Sequence, residues 1–306
     1  MFRKNDLILI AVTFGSIAAA IVFPEPCQVF SPYPLYLMMG FLFFNFLKIE
    51  FVKILKDVRK MALSLFVLSL FKLILLPSGL FCVASLIWPK YTVPVLLLSG
   101  VSTGVVAPFV ANLLSTSVVL VLMMLVVSSL LVPFTLPAVV KFLAGRSAEL
   151  SFLSMMKFLA MVIFIPAAIN ILIRRFSPWL IKKLEKIQFS VSVAIIGLVN
   201  LGIFPKYASF FRRNPGEIAG TVLVAFTLSI IYHCVGFLAT WGLPRRDRLA
   251  GAVSFACMNN VLITVFSAQF FDPLSPLLSV VYMFPFFAMI VPARILDDRI
   301  VFPVPR

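Results

Sequence analysis

Apolar runs of about twenty residues follow one another along the chain, parted by short stretches that hold Pro, Gly or charge. A bilayer core about 30 Å thick takes roughly 20 apolar residues per helix. The runs predict about ten spanning helices, near 6–23, 34–50, 62–88, 93–114, 117–143, 151–173, 188–204, 217–242, 249–271 and 274–296. Arg3 and Lys4 ahead of the first run also fit a signal peptide, but its removal would leave an odd count and break the symmetry described below.

Composition sharpens this picture. Of 306 residues, 62% are hydrophobic and 12% charged, with a mean hydropathy of +1.13. Soluble domains carry roughly twice that share of charge, and a water-exposed surface could not cover so much apolar side chain. The chain is an integral membrane protein, which excludes soluble enzymes, disordered proteins and disulfide scaffolds. All 11 acidic residues fall between the runs or at their ends. The net charge of +15 gathers in short loops, which points to topology and lipid headgroups and not to nucleic acid. With ten spans, eighteen Lys and Arg fall on the side of the two termini (the clusters at 48–60, 174–186 and 245–248 among them), against seven on the other. By the positive-inside rule both termini are cytoplasmic, and a bacterial inner membrane is the default location. Cys82, Cys234 and Cys257 lie within apolar runs and Cys27 in a loop; they read as small core residues.

The first five runs and the last five share a rhythm: two spans, a long one, a polar-interrupted one, and a closing span with proline. An odd number per half forces the halves into opposite orientation, the inverted-repeat plan of many secondary transporters, whose site forms at mid-membrane where each half has a broken helix. In the fourth run, Gly100, Ser102, Thr103, Gly104 and Pro108 stand together. Pro108 removes a backbone donor and clashes with the carbonyl four residues back, while the glycines permit close backbone approach. Freed backbone groups at this depth need protein or water to satisfy them. A simple proline kink is the plainer alternative, but two glycines with several hydroxyl or kinking residues in one stretch favour an unwound site. The matching place in the ninth run holds Asn259 and Asn260, followed by Thr264 and Ser267 on the Asn260 face. Adjacent amides in lipid are costly unless bonded; they either join helices or line a substrate path.

Lys72 lies about ten residues into the third run, near mid-membrane. A central Lys costs roughly 3 kcal/mol on insertion scales and usually marks function. No carboxylate lies inside any run to pair with it. Backbone carbonyls, amides, water or an anionic substrate must meet the charge, or the amine stands neutral; snorkelling to the interface is the bland option. His233, the only histidine, lies deep in the eighth run and either carries protons or bonds a neighbour.

Three places give a resemblance over nearly the whole chain. They are Leu42 to Lys48 with Phe51, Ile54, Leu55, Lys56 and Arg59; Lys72 with Pro77; and Pro133 and Pro137 together with Asn259-Asn260 ahead of Phe270-Phe271. In these the chain resembles the bile acid:sodium symporter family. The resemblance implies panel helices one and two (1–61) and six and seven (144–213). It implies a core of helices three to five (62–143) and eight to ten (214–306, with a short tail), in which broken helices four and nine cross. It also implies transport of an organic anion, such as a bile acid, small carboxylate or sulfated steroid, with two sodium ions.

The sodium ligands depart from that pattern. The family's Ser/Thr-Asn pair of helix four is Ala107-Pro108 here, its helix-nine Glu is Phe255, and its helix-three Gln is Lys72. Asn259-Asn260 matches its Gln-Asn pair, and Ser128 and Ser129 fall in the hydroxyl-bearing stretch of helix five. Losing the carboxylate and gaining an ammonium disfavours a bound cation. The expected function is therefore a secondary transporter of a small organic anion, working by alternating access and independent of sodium. Lys72 would stand in for a cation or carry a proton. Ser102, Thr103, Gly104, Pro108, Asn259, Asn260 and Thr264 would line the substrate path, and Lys72, Ser128, Ser129 and His233 would serve coupling. No metal site, cofactor or catalytic cluster is expected. The other readings are an auxin-efflux-carrier-like permease, which would keep Pro108, and a non-transporting sensor or scaffold. Substrate, direction and oligomeric state are open.

Overall fold

The structure, a computed structural model, describes residues 4–49, 54, 62–145 and 151–288. Most of the predicted basic loop 48–60, including Phe51, Leu55, Lys56 and Arg59, lies outside these residues, as do Arg146 and the tenth run beyond 288. Among the described residues every regular element is helical, apart from one isolated bridge between Thr103 and Met258.

Among the described residues five helical stretches are long and apolar enough to cross a membrane: Leu63–Ile87, Val118–Ala144, Phe152–Phe176, Pro178–Arg213 and Pro215–Ala239. A sixth is the bent pair Leu7–Val22 and Pro24–Phe30, with 117° between its arms. The protein is thus all-α and membrane-embedded. The ten apolar runs are not ten full-length helices. Helix α1 (Lys4–Val22) is followed by α2 (Pro34–Phe46), whose 13 residues measure about 20 Å, short of a bilayer core.

The third run begins with α3 (Ala62–Leu70) and ends with α4 (Leu76–Ile87), joined by a π turn at Phe71–Leu75. Pro77 explains the wide turn: it has no N–H for the carbonyl of Leu73 and its ring crowds that oxygen. The fourth run splits into α5 (Thr92–Ser99) and α6 (Ala107–Leu113). Ser117 and Ser151 accept bonds from first-turn amides to start α7 (Val118–Ala144) and α8 (Phe152–Phe176). Helix α9 (Pro178–Ile203) starts ten residues before the predicted seventh run. Its first turns carry Lys182, Lys183, Glu185 and Lys186, so hydropathy marks only its later part. A 3-10 turn (Phe204–Tyr207) leads to the short α10 (Ala208–Arg213), then α11 (Pro215–Ala239). The ninth run splits into α12 (Arg245–Ala256) and α13 (Asn260–Phe270), and α14 (Leu274–Val281) and α15 (Met283–Ala288) follow.

Helices α1, α2, α8 and α9 pack on one another. A second group is held by α4 on α5, α6 and α12 on α7, α11 on α12, and α14 on α5, α11 and α13. The groups meet where α8 lies on α7 and where α13 touches α2, α8 and α9.

Candidate functional site

The two interruptions, 100–106 and 257–259, lie side by side. Gly104 N donates to Cys257 O at 2.7 Å and Asn259 N to Ser102 O at 3.1 Å, flanking the Thr103–Met258 bridge. Here the freed backbone groups of one broken helix find partners in the other, as lipid burial demands. Gly104 permits it, because a Cβ there would sit 2.5 Å from Met258 O. Pro108 does something other than kink a helix: it occupies the first turn of α6, where no N–H is needed.

The C-terminal end of α12 leaves carbonyls with no helical partner. Lys72 Nζ donates to Ser254 O at 2.6 Å and to Thr103 Oγ1 at 3.0 Å, while Thr103 Oγ1 donates to the same carbonyl at 2.8 Å. Tyr282 donates to Ala256 O at 2.8 Å. A helix C-terminus carries roughly half a negative charge, so the broken end of α12 supplies the potential that a carboxylate supplies elsewhere. Lys72 is 0% exposed, which excludes snorkelling. Its Nζ also lies 5.9 Å from the centre of the Phe255 ring. Among the described residues the one ion pair is Lys90–Glu217, so no acidic side chain neutralises Lys72.

Thr103 is fixed in turn by α7: its N–H donates to Ser128 Oγ at 3.0 Å, and that hydroxyl donates to Leu125 O. Ser129 is also buried, but one residue on it faces another direction from the same helix. Among the described residues His233 makes no hydrogen bond to this cluster; its Nδ1 lies 2.7 Å from Ser229 O, one turn back in α11. Its neighbour Tyr232 is the residue that reaches inward, with its hydroxyl 2.7 Å from Ser99 Oγ.

The asparagines part company. Asn259 caps α13, its Oδ1 accepting from Leu262 N at 3.4 Å. Among the described residues Asn260 Oδ1 has no partner; it lines a narrow cleft, no larger than a water needs, with Thr264, Thr13 of α1 and Asn200 of α9. Thr13 Oγ1 is likewise buried and unpaired among them, while Asn200 Nδ2 donates to Thr13 O and Ser16 Oγ at 3.2 and 3.1 Å. Ser102 Oγ is also buried with no partner among the described residues. The cleft therefore lies between the two helix groups, next to the interruptions, with unspent hydrogen-bonding capacity.

Sequence reasoning misses Thr13, Asn200, Ser254 and Tyr282. Asn200 carries a readable signal, an amide inside an apolar run; Ser254 acts through its carbonyl, which no side-chain pattern reveals. Among the described residues no three His, Cys, Asp or Glu side chains converge to hold a metal. The chain matches no protein-family model and no curated protein.

Proposed function

We propose that the chain is a secondary transporter of a small organic anion, sodium-independent, in which the Lys72 ammonium stands where relatives hold a cation. The observation that carries this reading is the buried Lys72 Nζ on the free carbonyl end of α12, 2.6 Å from Ser254 O. Half-helix ends at paired interruptions are the ion and substrate sites of inverted-repeat transporters. An ammonium already seated on one leaves little reason for a metal cation to enter.

On this reading the ten apolar runs cross a cell membrane, as two inverted five-helix repeats with cytoplasmic termini and crossed fourth and ninth spans. The likeness to the bile acid:sodium symporter family supports that plan. So do contacts that join loop ends assigned to one side: Lys90 with Glu217, Arg212 with Val22, and, on the opposite side, Arg174 with Leu47. The first helix group acts as the panel (1–61 and 144–213) and the second as the core (62–143 and 214–306). Substrate binds where the narrow cleft of Asn260, Thr264, Thr13 and Asn200 widens as the core moves against the panel. Ser102, Thr103 and Gly104 belong to the neighbouring interruption that holds the N-terminal side of α13, and Ser128 positions Thr103.

The test is uptake by proteoliposomes of a labelled bile acid, a short carboxylate and a steroid sulfate, with sodium or choline outside. Uptake of at least one probe is expected to be equal in both salts and lost in Lys72→Gln. Uptake that requires sodium, or that survives Lys72→Gln unchanged, overturns the assignment of Lys72.

A further inference from the structure

Helix α13 bears the Asn260 cleft at its N-terminal end, and its opposite end is held by the other helix group. Its last four carbonyls have no partners within the helix. One of them, Ala268 O, accepts from Lys206 Nζ and from the Tyr207 hydroxyl, the latter at 3.2 Å. Both donors come from the 3-10 turn that follows α9. Lys206 Nζ also lies 4.7 Å from the centre of the Tyr207 ring, so the two side chains brace each other. A cation and a phenol on the negative end of a helix make a favourable pair of contacts. Beside them Phe158 of α8 packs on Phe266 and Phe270 at ring distances of 6.0 and 5.5 Å.

Ala268 is eight residues beyond Asn260, about 12 Å along the helix axis. The cleft thus lies about two turns inside the Ala268 contact, and α13 cannot swing away from α9 on this side until both donors let go. Lys206 keeps part of its side chain exposed, so water is at hand to receive the amine on release.

We propose that Lys206 and Tyr207 are a latch: bound to Ala268 O they close the cleft toward the end of the molecule that carries Lys90, and their release opens it there. The proposal rests on the two-body transporter reading and adds its gate. Helices α13 and α9 form the moving seam, and no residue of the Lys72 cluster takes part.

The test is cysteine labelling in oriented proteoliposomes. A Val199→Cys reporter in the cleft is placed in a chain whose Cys27, Cys82, Cys234 and Cys257 are replaced by Ala, and an impermeant maleimide is added from one face at a time. Lys206→Met with Tyr207→Phe is expected to raise the labelling rate about tenfold from the Lys206 face, the scale set by two modest hydrogen bonds, and not from the other. A reducible bifunctional thiol cross-link between Lys206→Cys and Ala268→Cys, long enough to replace the reach of the lysine side chain, is expected to slow labelling below the parent rate until a reductant restores it. Equal acceleration from both faces indicates general loosening and overturns the latch, as does labelling that ignores both changes. The assay needs no substrate, so loss of the Lys72 assignment in the uptake experiment leaves this result to stand or fall alone.

Discussion

Gly104→Ala tests the pairing of the two interruptions directly. The added Cβ would lie 2.5 Å from Met258 O, 2.9 Å from Met258 C and 3.3 Å from Asn259 N. All three are backbone atoms, so no rotamer change relieves the clash, and the segments at 102–104 and 257–259 have to separate. Separation breaks the bonds from Gly104 N to Cys257 O and from Asn259 N to Ser102 O. Each is worth about 1 kcal/mol as a net bond, or up to about 3 if its buried groups are stranded. A loss of about 2–6 kcal/mol follows, which lowers a thermal midpoint by about 5 °C or more in a chain of this size. Gly79→Ala is the matched control, because nothing lies within 4 Å of its Cβ in α4 and alanine favours the helix. Heating the purified protein in detergent and following the folded fraction by gel filtration reads both. A Gly104→Ala midpoint within a degree of the Gly79→Ala midpoint would refute the close approach and, with it, the site geometry.

Two further outcomes follow from contacts away from the cleft. In Gly236→Ala the new Cβ would meet Gly251 O at 2.6 Å, Phe255 Cβ at 2.8 Å and Ala252 Cα at 2.9 Å. That would force α11 from α12 at a loss of about 1–3 kcal/mol, read by the same heating assay; an unshifted midpoint contradicts it. Lys90, outside the spans, donates to both Glu217 carboxylate oxygens at 2.9 and 2.8 Å, and this hydrogen bond, reinforced by the opposite charge, holds its amine above the usual 10.5. A raised amine stabilises fully below its unfolded value and loses that contribution as pH climbs through the folded one. The midpoint gap between the parent and Lys90→Met is therefore expected to hold from neutral pH up to 10.5 and to shrink above it. A gap that persists unchanged well above pH 10.5 would contradict the pairing.

The chemistry of the core was legible in the sequence to the extent that it lay in composition within an apolar run. Lys72, Gly104 and the Asn259-Asn260 pair stand out because lipid makes their types expensive, and the structure brings all of them to the paired interruptions. Pro108 stands out for a physical reason: proline inside a long run kinks only a helix that continues, and here a new helix begins at Ala107 with Pro108 in its first turn. His233 is readable from hydropathy either as a proton carrier or as a group bonded to a neighbour, and its Nδ1 lies against Ser229 O within its own helix. The Lys72 partner could not be read at all, since Ser254 O is a carbonyl 182 residues away along the chain. Asn200 could have been marked as an amide inside an apolar run, but its pairing with Thr13 depends on which runs become neighbours, and hydropathy is silent on neighbours.

Placing a covalently attached cation on the α12 end has a consequence for energetics. A sodium ion at such a site enters and leaves with each cycle and so can spend a gradient; an ammonium on a side chain cannot leave. On the transporter reading, the exchangeable parts of the cycle are then the anion itself and whatever proton Lys72 carries. An anion crossing alone feels about 2.3 kcal/mol per charge per 100 mV, and an interior-negative potential drives it outward. Inward movement would need a compensating proton, whose one buried amine acceptor in this cluster is Lys72, bonded to Thr103 Oγ1 at 3.0 Å and to Ser254 O. Because Thr103 also donates to Ser254 O at 2.8 Å, it can hold that carbonyl when the amine lets go, so the α12 end need not be stranded during the exchange.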